Sequence, residues 1–271
     1  MDIPGDAIFQ RIVFNDLPRY LARVESPFSF VSLLIGVLAG LVTESLTRYV
    51  PVIVERRFHA DVHDYLAATA AGSGEREPPA QIVATPMLAS VKTVRFWCVL
   101  GLSAALVVLA LGMFGLTLKG AAAAWLCVAL VALGVIDYDW QLLPDALTLP
   151  LLWSGLLVNL EGTFASLPSA VIGAAAGYAV LWALYWSFRL VARKEGMGFG
   201  DFKLLAALGA WFGVGYLLQL ILVSSVLAAV ITVMLIVMRK MDRENPFPFG
   251  PFLAIAGLIS LFAGTLPLPA F

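Results

Sequence analysis

Two groups of carboxylates interrupt an otherwise apolar chain, and they are its clearest indication of chemistry. Asp201 ends a glycine-rich segment, 195–201, that reads Glu-Gly-Met-Gly-Phe-Gly-Asp. Asp137, Asp139 and Asp145 lie at the end of another apolar stretch. A charged side chain at membrane depth costs roughly 2.5–3.5 kcal/mol on insertion scales, so such residues are rarely there for packing. The sequence therefore suggests acids that work on a substrate inside a membrane or at its edge.

Two aspartates can hydrolyse a peptide bond when the fold lets them share one proton. One carboxylate then activates water, while the other, protonated, polarises the scissile carbonyl. Asp137 and Asp201 are far apart in the chain, so only the fold can join them. The alternative is that each acid caps a helix at the membrane interface. Asp145, which follows Pro144, fits that alternative well.

The glycines before Asp201 predict a place for an extended substrate. Gly196, Gly198 and Gly200 offer bare, flexible backbone that a substrate strand could approach. We expect a side chain at Gly198 to obstruct either the substrate or a left-handed backbone conformation.

A second interruption of the apolar pattern reads Pro248-Phe249-Gly250-Pro251. Broken backbone at membrane depth is tolerated only where it is buried in protein or lines a wet cavity. We therefore expect this segment and the glycine-rich segment to flank one polar cleft, with Asp137 on its opposite wall.

The composition identifies the class of protein. Hydrophobic residues make up 61% of the 271 residues and charged residues only 13%, whereas a soluble domain carries about 25% charged residues. The chain has no basic tract of the kind that binds nucleic acid. Cys98 and Cys127 both lie in apolar stretches, which is typical of small packed hydrophobes, and two cysteines cannot form a four-thiolate zinc site.

The hydropathy pattern predicts an all-α polytopic membrane protein with about eight transmembrane helices. Seven is the alternative, because residues 202–238 form one apolar run that only Gly213-Val214-Gly215 interrupts. A short cytoplasmic loop follows the first helix; we expect it to be helical up to residue 71 and a flexible linker from 72 to 79. The predicted spans lie near 28–50, 94–114, 118–136, 146–160, 167–190, 202–214, 216–238 and 251–267.

Two units follow from this organisation. Residues 1–93 contain an N-terminal segment, the first transmembrane helix and the cytoplasmic loop, and residues 94–271 form a membrane-embedded domain. All but four of the 17 lysines and arginines fall on one side of the predicted bundle. By the positive-inside rule that side is cytoplasmic, so both termini are outside and both acidic clusters lie at the cytoplasmic boundary. Three of the four exceptions are arginines before the first span, which favour the opposite orientation.

Two helical pairs could also hold ligands. His59 and His63 stand four residues apart, a metal-binding spacing, but a solvated, charged helix face is the favoured explanation, and no metal site is predicted there. Glu44 and Arg48 show the same spacing near the end of the first span, which predicts an intrahelical ion pair.

Three segments resemble the type IV prepilin peptidases. The first runs from Ile136 to Asn159 and contains Asp-Tyr-Asp-Trp-Gln-Leu-Leu-Pro-Asp. The second runs from Glu195 to Trp211 and contains Gly-Met-Gly-Phe-Gly-Asp-Phe-Lys. The third, residues 248–257, is similar to the family's C-terminal segment. Their co-linearity makes the resemblance specific.

The resemblance implies an aspartic endopeptidase of the Gly-x-Gly-Asp class, with Asp137 and Asp201 as its catalytic pair. Asp139, Asp145 and Lys203 would support them. The enzyme would lie in the bacterial inner membrane with its active site facing the cytoplasm. Its substrates would be precursors of type IV pilins or type II secretion pseudopilins, cut after a glycine.

The resemblance is weaker in the N-terminal third. Most family members carry paired Cys-x-x-Cys motifs there, and this chain has a short Gly/Ser/Pro linker instead, so no zinc is expected. Many members also methylate the new N-terminal amine with S-adenosylmethionine. The resemblance implies that activity here, with Glu55 and Arg56 as candidates. Glu44 is a candidate for docking the basic leader of a precursor.

Two other functions remain open on the residues alone. Aspartates and broken helices also mark proton-coupled transporters. Here the acids lie at one membrane face and not at the midplane, and the chain shows no inverted repeat. A non-catalytic scaffold of a secretion assembly is the other possibility, which the complete glycine motif and both acids disfavour. Oligomeric state does not follow from the sequence.

Overall fold

The protein is a bundle of antiparallel helices. The computed structural model describes residues 27–73, 93–192, 198–238 and 248–264. Within these ranges every regular element is helical, which confirms the all-α prediction. Two short 3₁₀ turns, Asn159–Glu161 and Val214–Tyr216, lie between helices. The α-helices are α1 (Pro27–Ser73), α2 (Thr93–Phe114), α3 (Leu118–Trp140), α4 (Asp145–Val158), α5 (Leu167–Ala192), α6 (Phe199–Phe212), α7 (Leu217–Val237) and α8 (Gly250–Ala263).

Helices in five of the predicted spans are long and apolar enough to cross a membrane. They are Phe30–Val54, Val94–Phe114, Leu118–Trp140, Leu167–Leu190 and Val214–Val237. The helices α4, α6 and α8 have 14 residues each. At 1.5 Å per residue they reach about 21 Å, less than a hydrocarbon core about 30 Å thick. Five of the eight predicted crossings are therefore helices long enough to span the membrane.

The first helix continues well beyond its apolar part. α1 extends to Ser73, as predicted for the first half of the loop. Glu55, Arg56, His59 and His63 lie on this extension, where the structure describes the backbone and not the side chains. The rest of the loop, 74–92, lies outside the described residues, as does most of the expected linker.

The long apolar run 202–238 is divided where the sequence predicts. α6 ends at Phe212, and Gly213 adopts a φ of 81°, a left-handed value that side chains disfavour. The hydroxyl of Ser169 accepts a hydrogen bond from the Val214 amide at 3.2 Å and holds this turn. The run therefore forms two helices, α6 and α7, as the predicted division at Gly213 requires.

α6 lies at the centre of the bundle, packed against α4, α5 and α8. Phe202 and Trp211, at its two ends, are completely buried. Asn159 donates from Nδ2 to the carbonyl oxygens of Ala210 and Trp211, each at 2.8 Å. Its Oδ1 accepts hydrogen bonds from the backbone amides of Phe164 and Ala165 at 2.9 and 3.0 Å. This saturated buried amide fixes the end of α6 opposite Asp201.

The two acidic clusters meet at one end of the bundle. α3 ends there, and α4, α6 and α8 begin there, because successive helices run in opposite directions. Contacts of Asp137 with Gly250 and of Asp145 with Lys203 join these ends across the bundle. The fold thereby gathers the two aspartate-bearing segments and the Pro248–Pro251 segment in one region.

Candidate active site

Asp137 lies in the last turn of α3 and is 5% exposed. Its Oδ2 accepts a hydrogen bond from the Gly250 amide at 3.0 Å, so α8 begins directly against this carboxylate. A β-carbon placed on Gly250 would lie 2.6 Å from Oδ2. Glycine is therefore the residue that allows the backbone of α8 to approach the acid this closely.

Asp201 lies in the first turn of α6, outside the five candidate spans, and is 7% exposed. Its Oδ1 is buried and has no hydrogen-bond partner among the described residues. Burial, and then the neighbouring Asp137 carboxylate, raise the pKa of Asp201 to about 7. The fold thus brings the two acids within electrostatic reach of each other in a water-poor environment. Such a pair can hold one proton between them near neutral pH.

The turn between α3 and α4 fixes the distance between the two acid-bearing helices. Gln141 adopts a left-handed conformation, φ 51°, and its amide donates to the carbonyl oxygen of Asp137 at 2.8 Å. Leu143 is buried against Gly200, where a β-carbon would lie 2.7 Å from that of Leu143. Gly200 therefore serves the packing of α6 on this turn, in addition to any contact with a substrate.

The other expected substrate-contacting residues are placed differently. Gly198 is the exposed residue before α6, with φ −77° and ψ 147°, so the expected left-handed conformation is wrong. Among the described residues, a β-carbon there would meet nothing closer than the Gly200 amide nitrogen at 4.0 Å. Pro248 is half-buried, just before α8. Gly196 lies outside the described residues.

Asp145 and Lys203 form an ion pair across the site, with Oδ1 and Nζ 2.6 Å apart. Asp145 is the first residue of α4, and Pro144 occupies the capping position, so Asp145 is not the helix cap that the alternative interpretation expected. The pair links the first turn of α4 to the first turn of α6, two residues from Asp201. Both partners are partly exposed, which limits its contribution to stability.

Asp139 points to the other side of α3, toward α1 and α2. Its Oδ2 lies 2.5 Å from Nη2 of Arg95, a residue that sequence reasoning did not single out. Arg95 lies near the start of an apolar span, and a charged residue at that position could have been noted from the sequence. Its partner could not, because the pairing depends on the register between helices. Glu44 on α1 also interacts electrostatically with Asp139.

Glu44 is 2% exposed, and its Oε1 pairs with Nε of Arg48 at 2.7 Å. The predicted intrahelical ion pair is therefore confirmed. The guanidinium of Arg48 in turn lies 5.4 Å from the centre of the Phe96 ring. The second carboxylate oxygen, Oε2, is buried without a hydrogen-bond partner.

Metal ligands do not gather in the part of the chain that the structure describes. No group of three or more His, Cys, Asp or Glu residues is arranged there to hold an ion. Cys98 is exposed and Cys127 is buried, both as free thiols. The described arrangement is instead suited to acid–base chemistry by two carboxyls.

Comparison with known proteins supports the same chemistry. Residues 124–233, which include both acids, match the model of the type IV leader peptidase family. The chain is 61% identical over 135 residues to a prepilin leader peptidase/N-methyltransferase of Aeromonas hydrophila, covering 50% of this chain and 47% of the relative. The relative of that name in Burkholderia pseudomallei is 52% identical over 163 residues, covering 60% and 53%. The one in Pseudomonas aeruginosa is 52% identical over 151 residues, covering 56% and 52%.

The chain thus spans about half the length of the curated relatives it matches. No solved structure matches the chain.

Proposed function

We propose that this chain, whose residues 124–233 match the model of the type IV leader peptidase family, is an intramembrane aspartic endopeptidase. Its substrates are precursors of type IV pilins or type II secretion pseudopilins, from which it removes the leader peptide. The observation that carries the proposal is the burial of Asp201 beside the Asp137 carboxylate. The names of the relatives supply the reaction and the class of substrate.

The proposed chemistry needs only the two acids and a water molecule. One acid, ionised, takes a proton from water, and the other, protonated, donates to the oxygen of the scissile carbonyl. Low exposure of both carboxyls strengthens these interactions because few water molecules compete for them. Asp139, Asp145 and Lys203 support the pair through the ion pairs that fix α3, α4 and α6.

The proposed substrate path runs over the exposed start of α6. Toward the described residues Gly198 has open space, which an extended peptide could occupy. Gly196 and Gly200 flank it in sequence, and Pro248 and Gly250 form the facing wall at the start of α8. A scissile bond must leave its helix to react, since helical hydrogen bonds and side chains shield it.

Glu44 belongs to the proposal as the residue that receives a basic group of the leader. Its free Oε2 is the supporting observation. Because Glu44 is only 2% exposed, the leader could reach it only after α1 moves relative to α2 and α3. Asp137 and Asp201, in contrast, already lie together without any movement of α1.

We further propose that all eight helices cross the bacterial inner membrane, with α4, α6 and α8 as short crossings. The excess of Lys and Arg on the acid-bearing side supports a cytoplasmic position for that end. Short crossings are tolerated when the bilayer thins locally around them. The division into residues 1–93 and a peptidase domain over 94–271 stays part of this proposal.

The relatives' names include an N-methyltransferase activity, and we propose it for this chain as well. S-adenosylmethionine would supply the methyl group to the newly formed N-terminal amine. Glu55 and Arg56, on the extension of α1, are the candidates for this step. Substitution of either should lower methylation and leave cleavage unchanged.

One experiment tests both activities. A pilin precursor is incubated with the membrane-embedded protein, and the product's mass and N-terminal sequence are measured. We expect loss of the leader, with an added methyl group when S-adenosylmethionine is present. Asp201→Asn should give no cleavage at equal expression, and Asp145→Asn serves as the control. Full cleavage by Asp201→Asn would refute the proposed function.

A further inference from the structure

The two carboxyls of the site are held in different ways. Asp137 Oδ2 accepts the Gly250 amide hydrogen at 3.0 Å. Asp201 Oδ1, in contrast, is buried without a hydrogen-bond partner. A shared proton must rest on one of the two carboxyls in the resting enzyme. The difference between their surroundings decides which one.

The start of α8 leaves one amide for Asp137. The first amides of a helix have no partner inside it. In α8, Pro251 has no amide hydrogen, and the amides of Phe252 and Leu253 donate to the carbonyl oxygen of Phe249 at 3.1 and 3.2 Å. The Gly250 amide is thus the first-turn donor that remains, and it donates to the carboxylate. The dipole of α8 adds to the stabilisation of negative charge at this position, whereas the C-terminal end of α3, where Asp137 itself lies, opposes it. The direct hydrogen bond from the Gly250 amide is therefore the contact that favours the ionised form.

The start of α6 gives Asp201 no comparable donor. Asp201 is also in a first turn, so the dipole of α6 acts on it too. Its own amide donates to the carbonyl oxygen of Gly198 at 3.3 Å, and its carboxyl Oδ1 receives nothing. A charged oxygen buried without a donor is costly, and a neutral carboxyl is much less so. Burial and the Asp137 charge, which raise the pKa of Asp201 to about 7, act in the same direction.

The nearest ion pair does not reverse this difference. Lys203 is the basic residue closest in sequence to Asp201, and its Nζ is engaged by Asp145 at 2.6 Å. The Asp139–Arg95 pair lies on the other side of α3. Within the part of the chain that the structure describes, the direct amide bond to Asp137 is therefore the main hydrogen-bond asymmetry of the site.

We propose that Gly250 is a positioning residue whose amide keeps Asp137 ionised, so that Asp137 is the general base and Asp201 holds the catalytic proton. This inference rests on the proposed peptidase function. Asp137 takes a proton from water as the water oxygen bonds to the carbonyl carbon, and Asp201 gives its proton to the carbonyl oxygen. In the second step Asp137 passes its proton to the leaving nitrogen. The C–N bond breaks, and one hydroxyl of the diol returns a proton to Asp201.

Infrared spectroscopy tests the assignment without any substrate. The protein is labelled with ¹³C-aspartate and reconstituted in lipid at neutral pH. The double variant Asp137→Asn/Asp201→Asn provides the reference spectrum for the protonated-carboxyl band. We expect this band in the wild type and in Asp137→Asn, and its absence in Asp201→Asn. The control Asp145→Asn should retain it. Any other distribution of the band between the two single variants overturns the assignment.

The role of the Gly250 amide is tested by replacing that one amide with an ester, by incorporation of glycolic acid at position 250. In the Asp201→Asn background this should make a protonated-carboxyl band appear, since Asp137 loses its donor. With Asp201 intact, kcat should fall roughly 10- to 100-fold, the range expected for a hydrogen bond to a charged group, and KM should change less than twofold. The same ester at Gly215, in the 3₁₀ turn beyond the far end of α6, is the matched control.

The two proposals fail in distinguishable ways. An ester at position 250 that changes neither the band nor kcat overturns the role of Gly250. A wild-type protein that shows the expected bands but cleaves no precursor refutes the peptidase function and leaves the assignment of the proton intact. Gly250→Ala provides a second variant: its β-carbon would approach Asp137 Oδ2 to 2.6 Å, so cleavage should fall more steeply than with the ester.

Discussion

Lys203 Nζ lies 2.6 Å from Asp145 Oδ1, and this ion pair connects the first turns of α4 and α6 beside the proposed active site. The pair is partly exposed, so its net contribution to stability should be about 0–1 kcal/mol. Its effect is instead geometric, since it restrains the turn of helix that carries Asp201.

We therefore expect Asp145→Asn and Lys203→Met to retain folding and to lower kcat modestly, by less than about tenfold. The double variant should be no slower than the slower single variant, because each change removes the same contact. Cleavage rates at saturating precursor and Tm measured in detergent check this. Additive losses in the double variant would show that the two side chains act separately.

The two acids, in contrast, should behave as a single unit. Asp137→Asn and Asp201→Asn should each abolish measurable cleavage. The double variant should be no worse than either, because both groups serve one proton-transfer cycle. Rates are measured by gel shift of a precursor at equal enzyme levels. Residual activity in one variant but not in the other would show that the acids do not work as a pair.

The position of these acids was predictable from sequence to a limited degree. Three features were readable: apolar stretches that end in acids on the same side of the bundle, the break at Gly213, and the helical extension after residue 54. The hydrogen bond between Gly250 and Asp137 could not be predicted from the sequence, since it joins residues 113 positions apart. Only the packing of α8 on α3 creates it. Composition and periodicity do not report such register between helices.

The same limit explains the contact that sequence reasoning missed. Arg95 and Asp139 lie on neighbouring helices, and their pairing depends on the register of α2 on α3. Asp139 was expected to support catalysis, but residues two apart on a helix lie on opposite faces. Its direction away from Asp137 therefore follows from the helix, whereas its partner Arg95 does not. The structure assigns it to the junction of α1, α2 and α3.

We expect the Arg95–Asp139 pair to act on catalysis through the orientation of α3. Asp139→Asn and Arg95→Gln should each lower kcat more than they change KM, because Asp137 lies on the same helical turn. The exchanged variant Arg95→Asp/Asp139→Arg should recover part of the activity. Steady-state kinetics with a precursor peptide provide the test. A change in KM without a change in kcat, or an exchanged variant that recovers no activity, would contradict this role.

Gly198 and Gly200 allow packing to be separated from substrate access. A β-carbon on Gly198 would lie at least 4.0 Å from every described atom beyond its chain neighbours, whereas one on Gly200 would lie 2.7 Å from Leu143 Cβ. Gly198→Val should therefore leave Tm within about 1 °C of the wild type and reduce cleavage by obstructing an extended substrate. Gly200→Ala should destabilise the fold by about 1–3 kcal/mol through overpacking, which lowers Tm.

The contrast between these two variants tests whether the substrate passes over the start of α6. If the start of α6 is the substrate path, activity and stability must separate at position 198 and fall together at position 200. The measurements are Tm in detergent and kcat/KM with a precursor, for both variants under the same conditions. Gly198→Ala is the matched control, since one methyl group should obstruct less than the branched side chain of valine. A Gly198→Val protein that cleaves as fast as the wild type would place the substrate elsewhere, with the acids reached from the side of α8.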